Sequence, residues 1–120
     1  MVLPAAAGLM QALDDTFLAL SDPSRRGVVD LLRKKPRRAG ELADELGLSA
    51  PAMSRHLRVL RETGLVERAF DDDDARANVY RLRREKFMAL RSWLDDVDRF
   101  WALQLDAFAQ HAEKTRGKKK

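Results

Sequence analysis

The side chains with the most specific chemistry in this 120-residue chain are one serine and three arginines, Ser54, Arg55, Arg58 and Arg61. A guanidinium group can donate two hydrogen bonds to guanine N7 and O6, and a serine hydroxyl can bond to a base edge or to a phosphate. Ala50, slightly earlier in the chain, can contact a thymine methyl group. A surface that presents these groups together suits double-stranded DNA.

The apolar residues of the same segment decide which way the arginines point. Met53, Leu57 and Leu60 are spaced i, i+4 and i+7, as on one face of an α-helix, and are expected to face a core. The serine and the arginines then occupy the opposite face. The alternative is an ordinary surface helix with a solvated charged face, and this helix alone does not exclude it.

Turn and capping residues place this helix in a larger unit. Ser49 is predicted to cap its N-terminus, and Gly64 can take the left-handed conformation that closes its C-terminus. A shorter helix, Ala39–Leu46, precedes it across Gly47. Two helices joined in this way predict a helix-turn-helix, whose second helix normally enters the DNA major groove.

The rest of the chain predicts two more helices before this unit and a hairpin and a long helix after it. The fold class is mainly α with a small β-hairpin, a homodimeric winged helix-turn-helix in the order α-α-α-α-β-β-α. We predict a DNA-binding and dimerisation domain over residues 1–112 and a basic disordered tail over residues 113–120. The other predicted elements are helices over 9–20, 23–33 and 84–111 and strands over 65–70 and 79–82.

The long C-terminal helix carries an apolar stripe that is too wide for a small domain to cover alone. A ligand pocket is one use for its aromatic residues. The favoured use is a dimer seam shared with the first helix, which would set two recognition helices about 34 Å apart, one turn of DNA. The predicted interface residues are Leu9, Leu13, Phe17, Trp93, Leu94, Val97, Phe100, Trp101, Leu105 and Phe108.

Composition excludes several classes of function. Without cysteine the chain has no disulfide, thiolate metal site or cysteine nucleophile, and a reducing cytoplasm is the favoured compartment. There is no phosphate-binding glycine loop, nucleophile elbow or HExxH motif, and neither His56 nor His111 has an evident catalytic partner. We therefore expect no catalytic residue and no cofactor. The apolar start of the chain contains Pro4 and Gly8 without a preceding basic residue, so neither a signal peptide nor a membrane span is expected.

The net charge of +4 is less informative than its distribution. The last eight residues hold five basic and one acidic side chain, so the remainder of the chain is neutral. The prediction of DNA binding therefore rests on where the arginines lie rather than on the total charge.

Five runs of sequence carry a more specific signal: ALSDPSRR over 19–26, GELA over 40–43, LSAPAMSRHLRVL over 48–60, RETGLV over 61–66 and VYRL over 79–82. They resemble the ArsR/SmtB family of bacterial transcriptional repressors over about residues 10 to 110. The resemblance implies a homodimeric repressor that binds a palindromic operator near its own promoter. It also implies that Ser54, Arg55 and His56 contact DNA, that Arg25 at the start of the second helix does so, and that the hairpin is the wing.

The chain departs from this family in its metal-binding positions. Many members bind metals through a cysteine pair in the helix before the recognition helix, where this chain reads ELADEL over 41–46. Another family site uses Asp and His ligands on the C-terminal helices. Here His111 has only Asp106 and Glu113 nearby, and the five-residue spacing of Asp106 and His111 does not place them on one helix face. We expect no transition-metal site.

The predicted wing is also unusual, because four aspartates, Asp71–Asp74, stand where DNA phosphates would approach. One interpretation is a solvated turn held away from DNA, with Arg68 and Arg76 making the backbone contacts. A second is a weak Ca²⁺ or Mg²⁺ site, although the usual ligand spacing and its glycine are missing. A third is a wing that tunes affinity or contacts a protein.

Two further questions stay open at the level of sequence. His56 can lie at the edge of the core, bonded to a backbone carbonyl, or reach a phosphate or a base. The main functional hypothesis is a sequence-specific dimeric repressor whose effector is unknown, with DNA contacts from Ser49, Ala50, Ser54, Arg55, His56, Arg58, Arg25 and Arg76. The alternatives are a non-specific architectural DNA-binding protein, driven by the basic tail, and a winged-helix module for protein contact.

Overall fold

The computed structural model describes residues 4–70 and 78–117, and the predicted fold class is confirmed. The described residues form five helices and one antiparallel hairpin in the predicted order. The elements are α1 (Pro4–Leu20), α2 (Pro23–Leu32), α3 (Ala39–Leu46), α4 (Ala50–Glu62), β1 (Val66–Phe70), β2 (Asn78–Leu82) and α5 (Arg84–Gly117).

The outer ends of the first and last helices differ from the prediction. The first helix begins at Pro4 rather than at Leu9, because proline suits the first helical position and three alanines follow it. The last helix continues to Gly117, and the Thr115 hydroxyl donates to the carbonyl of His111, 2.9 Å away. The segment expected to be a disordered tail from residue 113 is therefore helical as far as Gly117.

The predicted caps of α2 and α4 are confirmed. The Asp22 carboxylate accepts hydrogen bonds from the backbone N–H groups of Ser24 (2.8 Å) and Arg25 (3.2 Å), and the Ser49 hydroxyl accepts one from Ala52 (3.2 Å). These bonds satisfy donors that the first helical turn leaves free, and they fix where each helix begins.

Helices α3 and α4 end in the same way, in a glycine with positive φ. Gly47 has φ 64° and Gly64 has φ 80°. After Gly64, the N–H of Leu65 donates to the carbonyl of Leu60 at 3.0 Å, and the N–H of Gly64 donates to Arg61 at 3.1 Å. The left-handed conformation predicted for Gly64 is confirmed, and these bonds form a Schellman ending that turns the chain from α4 directly into the hairpin.

The core of the molecule lies between α2, α3, α4 and the base of the hairpin. Its fully buried residues include the apolar face of α4, with Met53 at 1 %, Leu57 at 2 % and Leu60 at 0 % exposure. Gly27 of α2 lies so close to Leu46 of α3 that a Cβ atom there would come within 2.9 Å of the leucine side chain. This close packing holds α3 against α2 and so fixes the helix-turn-helix.

The hairpin pairs β1 with β2 in the register Val66↔Leu82 through Phe70↔Asn78. A single antiparallel bridge joins Arg37, in the loop before α3, to Tyr80 of β2, with N···O distances of 3.1 and 2.7 Å. The loop between α2 and α3 is thereby attached to the hairpin, and Tyr80 is buried at their junction.

The chain divides into two compact units, Met1–Ala89 and Leu90–Lys120. The first unit holds the helix-turn-helix, the hairpin and the core. The second is the remainder of α5, so the predicted domain end at residue 112 falls inside it. None of the described helices combines the length and apolar character that crossing a bilayer requires.

Candidate nucleic-acid interface

The outward face of α4 is the one predicted from the sequence. Ser54, Arg55, Arg58 and Arg61 are exposed, opposite the buried apolar residues of the same helix. Within the described residues the side chains of these three arginines have no hydrogen-bond or ion-pair partner, so their guanidinium groups are available to an external anion. Ala50 is exposed in the first turn, and Ser49 is exposed although its hydroxyl already caps the helix.

A groove separates the C-terminal half of α4 from β1. It has a volume of about 630 Å³. Its lining holds four arginines and two acidic residues. Glu67 is paired with Arg81 across the hairpin and with Arg83 at 3.9 Å, whereas Glu62 has no ion-pair partner within the described residues. Arg61 and Arg68 have no such partner in the described part of the chain, so the groove extends the positive surface of α4 towards the hairpin. The lining residues are Arg58, Arg61, Glu62, Val66, Glu67, Arg68, Phe70 and Arg83.

Arg25 is predicted to contact DNA, and in the structure its side chain also contacts the protein. Its Nε donates to the carbonyl of Ala19 at 2.7 Å, and its Nη2 donates to the carbonyl of Leu18 at 3.2 Å. Those carbonyls belong to the last turn of α1, where the helix itself provides no donor. Arg26 similarly donates from Nη1 to the carbonyl of Leu20 at 2.8 Å.

The structure places His56 at the edge of the core, half-buried, on the side of α4 that faces the start of α2. Its Nδ1 lies 3.4 Å from Nη1 of Arg25. In the core-edge alternative the expected partner is a backbone carbonyl, and the structure shows a side chain 31 residues away in its place. Sequence patterns missed this contact, because nothing local to either residue predicts how α1 and α2 meet α4. The alternative contact with a phosphate or a base stays a prediction.

The Asp22 carboxyl group lies beside the same residues. Its pKa would be raised by burial, but hydrogen bonds from the N–H groups of Arg25 and Ser24 and electrostatic interactions with His56 and Arg25 hold the pKa below its ordinary value of 3.8. The carboxylate is therefore charged at neutral pH, and it balances the positive charge of Arg25 next to the recognition helix.

The wing is described only in part. Strand residues Arg68 and Phe70 are exposed near the end of β1, and Phe70 is 69 % exposed. Arg76 and the aspartate run Asp71–Asp74 lie outside the described residues. The three interpretations of the aspartate run accordingly stay predictions.

The predicted dimer residues fall into two groups. In α1, Phe17 is exposed, whereas Leu13 is only 6 % exposed because it shares the inward face of the helix with Thr16 and Ala19. Burial in its own subunit does not fit the predicted role of Leu13 at a dimer surface. The side chain of Leu9 is outside the described set. In the second unit all the predicted residues are exposed: Trp93, Leu94, Val97, Phe100, Trp101, Leu105 and Phe108.

The described residues, 4–70 and 78–117, include His, Asp and Glu side chains of the kinds that bind metals. No group of three or more His, Cys, Asp or Glu side chains in that part of the chain is arranged to hold a metal ion. His111 is exposed on α5.

This chain is similar in sequence to a known family of bacterial regulators. The family model described as "Bacterial regulatory protein, arsR family" matches residues 22–68, which run from the cap of α2 into β1. The chain is also 40 % identical over 97 residues to the HTH-type transcriptional regulator Rv2034 of Mycobacterium tuberculosis. That similarity covers 81 % of this chain and 85 % of the relative.

Solved structures show the same fold. An ArsR-like transcriptional regulator from Rhodococcus sp. RHA1 is 30 % identical, with a TM-score of 0.73 over 90 % of this chain and 96 % of that one. The homodimeric winged helix-turn-helix DNA-binding domain of Mb0332 from Mycobacterium bovis superposes with a TM-score of 0.62, at 24 % identity, over 85 % of this chain and 91 % of that one.

Proposed function

The chain belongs to the ArsR family of bacterial regulatory proteins, and we propose that it is a homodimeric repressor that binds a palindromic operator. As a member of this family it is a DNA-binding transcriptional regulator and not an enzyme. The observation that carries the proposal is the outward face of α4, where three arginines without protein partners project from a helix capped at both ends.

In this proposal α4 enters the major groove and reads bases with its N-terminal half. Arg55 and Arg58 donate to guanine, Ser54 bonds to a base edge or a phosphate, and Ala50 contacts a thymine methyl group. The N-terminus of α4 at Ser49 approaches the phosphate backbone, where the helix dipole favours negative charge. The hairpin acts as the wing, with Arg68 and Arg76 on the DNA backbone.

A second copy of the chain supplies the second reading helix. Phe17 of α1 and the exposed apolar residues of the second unit form the proposed dimer surface, and two-fold symmetry makes the operator palindromic. Half-sites are then about 34 Å apart, one turn of DNA. The bound dimer represses by excluding RNA polymerase, and the family resemblance supports an operator near its own promoter. The lack of cysteine supports action in a reducing cytoplasm.

Selection of bound fragments from the host genome by the purified protein tests this function. We expect enrichment of a palindrome, bound about 10³-fold or more tightly than unrelated DNA. The double variant Arg55→Ala, Arg58→Ala is expected to abolish that binding. The matched control, Arg91→Ala with Arg99→Ala, removes two exposed arginines from α5 and is expected to retain it.

The alternative function, non-specific architectural binding, predicts a different pattern. Affinity would then fall with salt to the same extent for every sequence, and removal of residues 113–120 would cost more than the double variant in α4. Failure to enrich any palindrome would contradict the repressor proposal.

A further inference from the structure

Arg25 links three helices with one side chain. It belongs to the first turn of α2, and its guanidinium donates to the last carbonyls of α1, Leu18 at 3.2 Å and Ala19 at 2.7 Å. Its remaining terminal nitrogen lies 3.4 Å from Nδ1 of His56 on α4. The recognition helix is therefore attached, through one rigid planar group, to the C-terminus of α1.

We propose that Arg25 is a positioning residue for DNA binding, which fixes the orientation and tautomer of His56 so that the Nε2–H group of His56 donates to a DNA phosphate. This inference rests on the proposed function. It replaces the direct DNA contact that the family resemblance implied for Arg25.

The tautomer follows from the hydrogen-bonding capacity of the two side chains. A guanidinium group has N–H donors and no acceptor, so Nδ1 of His56 accepts the hydrogen bond from Arg25. A neutral imidazole that accepts at Nδ1 carries its proton at Nε2. His56 is half-buried, and Arg25 lies at Nδ1, so the ring nitrogen left for another partner is Nε2, the one that carries hydrogen.

The charged surroundings suit this arrangement. Asp22, the N-cap of α2, interacts electrostatically with both Arg25 and His56 and offsets the guanidinium charge. Lysine could not replace Arg25, because one ammonium group cannot span the two carbonyls and the imidazole in the planar geometry of a guanidinium.

Arg26 is a natural control. It is exposed, lies next to Arg25 and closes the same helix by donating to the carbonyl of Leu20 at 2.8 Å. No hydrogen bond joins it to α4 within the described residues. If Arg25 affected DNA affinity only by capping α1, Arg26→Gln would lower the affinity as much as Arg25→Gln does.

The first test uses the DNA-free protein. Imidazole ¹⁵N chemical shifts, recorded as a function of pH, report which ring nitrogen of the neutral form carries the proton. We expect the Nε2–H tautomer of His56 in the native protein and in Arg26→Gln, and a mixture of tautomers in Arg25→Gln. A native protein that already shows the mixture, or an Arg25→Gln protein that keeps a single tautomer, would overturn the proposal.

The second test measures DNA affinity against salt concentration, with the palindrome selected above and, independently, with a mixed-sequence duplex. We expect Arg25→Gln and Arg25→Lys each to weaken binding about tenfold, the effect of one hydrogen bond to a charged group. The slope of log K against log salt should not change, because no phosphate contact of Arg25 is removed. Arg26→Gln should bind as the native protein does.

Three results would refute the inference. A slope reduced by about one in Arg25→Gln, with affinity kept in Arg25→Lys, would make Arg25 a direct phosphate ligand. Equal losses of DNA affinity in Arg25→Gln and Arg26→Gln would show that Arg25 acts only as a cap of α1. If the double variant Arg25→Gln, His56→Phe bound DNA more weakly than His56→Phe alone, Arg25 would not act through His56.

The tautomer measurement also separates this inference from the proposed function. If the native protein enriches no palindrome, the repressor proposal fails, whereas the ring-nitrogen result on the free protein still decides what Arg25 does to His56. Circular dichroism of each variant at the assay temperature checks that the compared proteins are folded.

Discussion

The helix-turn-helix and the second unit are both amphipathic, but the first buries its apolar face and the second exposes it. The apolar face of α4 is buried within its own chain, with Leu60 at 0 % exposure. In the second unit every described side chain from Arg91 to His111 is exposed, including Phe108 at 73 %. The first region can hold its structure alone, whereas the second exposes more apolar surface than a stable monomer normally does.

This contrast assigns different tasks to the two regions. Helix ends in the first unit are fixed by caps and glycine turns, so its polar face stays in a defined position. The second unit is part of one helix, and its ring pair Phe100 and Trp101, edge to face at 6.5 Å, is exposed. We therefore expect the first region to determine what DNA is read, and the second to determine how many copies read it.

The largest effect is expected from Trp101→Glu, which tests whether the second unit depends on a partner chain. A charge in place of a central aromatic residue should raise the dimer dissociation constant about a hundredfold or more. Sedimentation velocity over a range of protein concentrations measures it. The control Ser92→Glu adds the same charge to the polar face of the helix and should leave the dimer intact. Equal dissociation in both variants would contradict the assigned interface.

A smaller effect distinguishes the two regions within one subunit. In the monomeric Trp101→Glu background, Leu57→Ala should lower the free energy of unfolding by about 2–5 kcal/mol, because it leaves a cavity in a closed core. Leu105→Ala in the same background should change it by under about 0.5 kcal/mol, because Leu105 is 63 % exposed in one chain. Urea unfolding followed by circular dichroism gives both values. Similar losses would mean that the second unit packs its own core.

The smallest effect concerns Asp22 and should be confined to the first unit. Because folding lowers the pKa of Asp22, its stabilisation is complete above its unfolded value of 3.8 and is lost as the pH falls through the lower folded value. Asn can still cap the helix, so Asp22→Asn removes only the charge. The native protein should be the more stable at neutral pH, and this difference should disappear in acid.

Ser49→Ala is the control for that measurement. The Ser49 hydroxyl that caps α4 does not titrate, so Ser49→Ala should lower the thermal unfolding temperature by the same amount at each pH. If the loss of stability in Asp22→Asn were also the same at each pH, the carboxylate charge would not stabilise α2.

Local patterns predicted most of the first unit. Caps at Asp22 and Ser49, the glycine turns and the buried face of α4 each depend on residues within one or two helical turns, and the structure confirms them. The early start of α1 was missed because the alanines after Pro4 carry no amphipathic pattern, although they are strong helix formers.

Contacts between elements could not be predicted in the same way. The bonds from Arg25 to α1 and to His56 depend on the angle at which helices meet, which no residue spacing encodes. The burial of Leu13 has the same origin, because α1 is apolar on more than one face and only packing decides which face turns inward. The bridge between Arg37 and Tyr80 joins residues 43 positions apart.

The bridge between Arg37 and Tyr80 also affects how readily the hairpin can aggregate with other molecules at high protein concentration. Open strand edges can recruit the same edge of another molecule and start aggregation. Arg37 occupies part of the outer edge of β2, and the free edge of the hairpin is the short strand β1, where Glu67 and Arg68 are charged. Charge and short length make such an edge a poor template for another strand. Strand addition at the described part of the wing is thus disfavoured, and association is left to the helices.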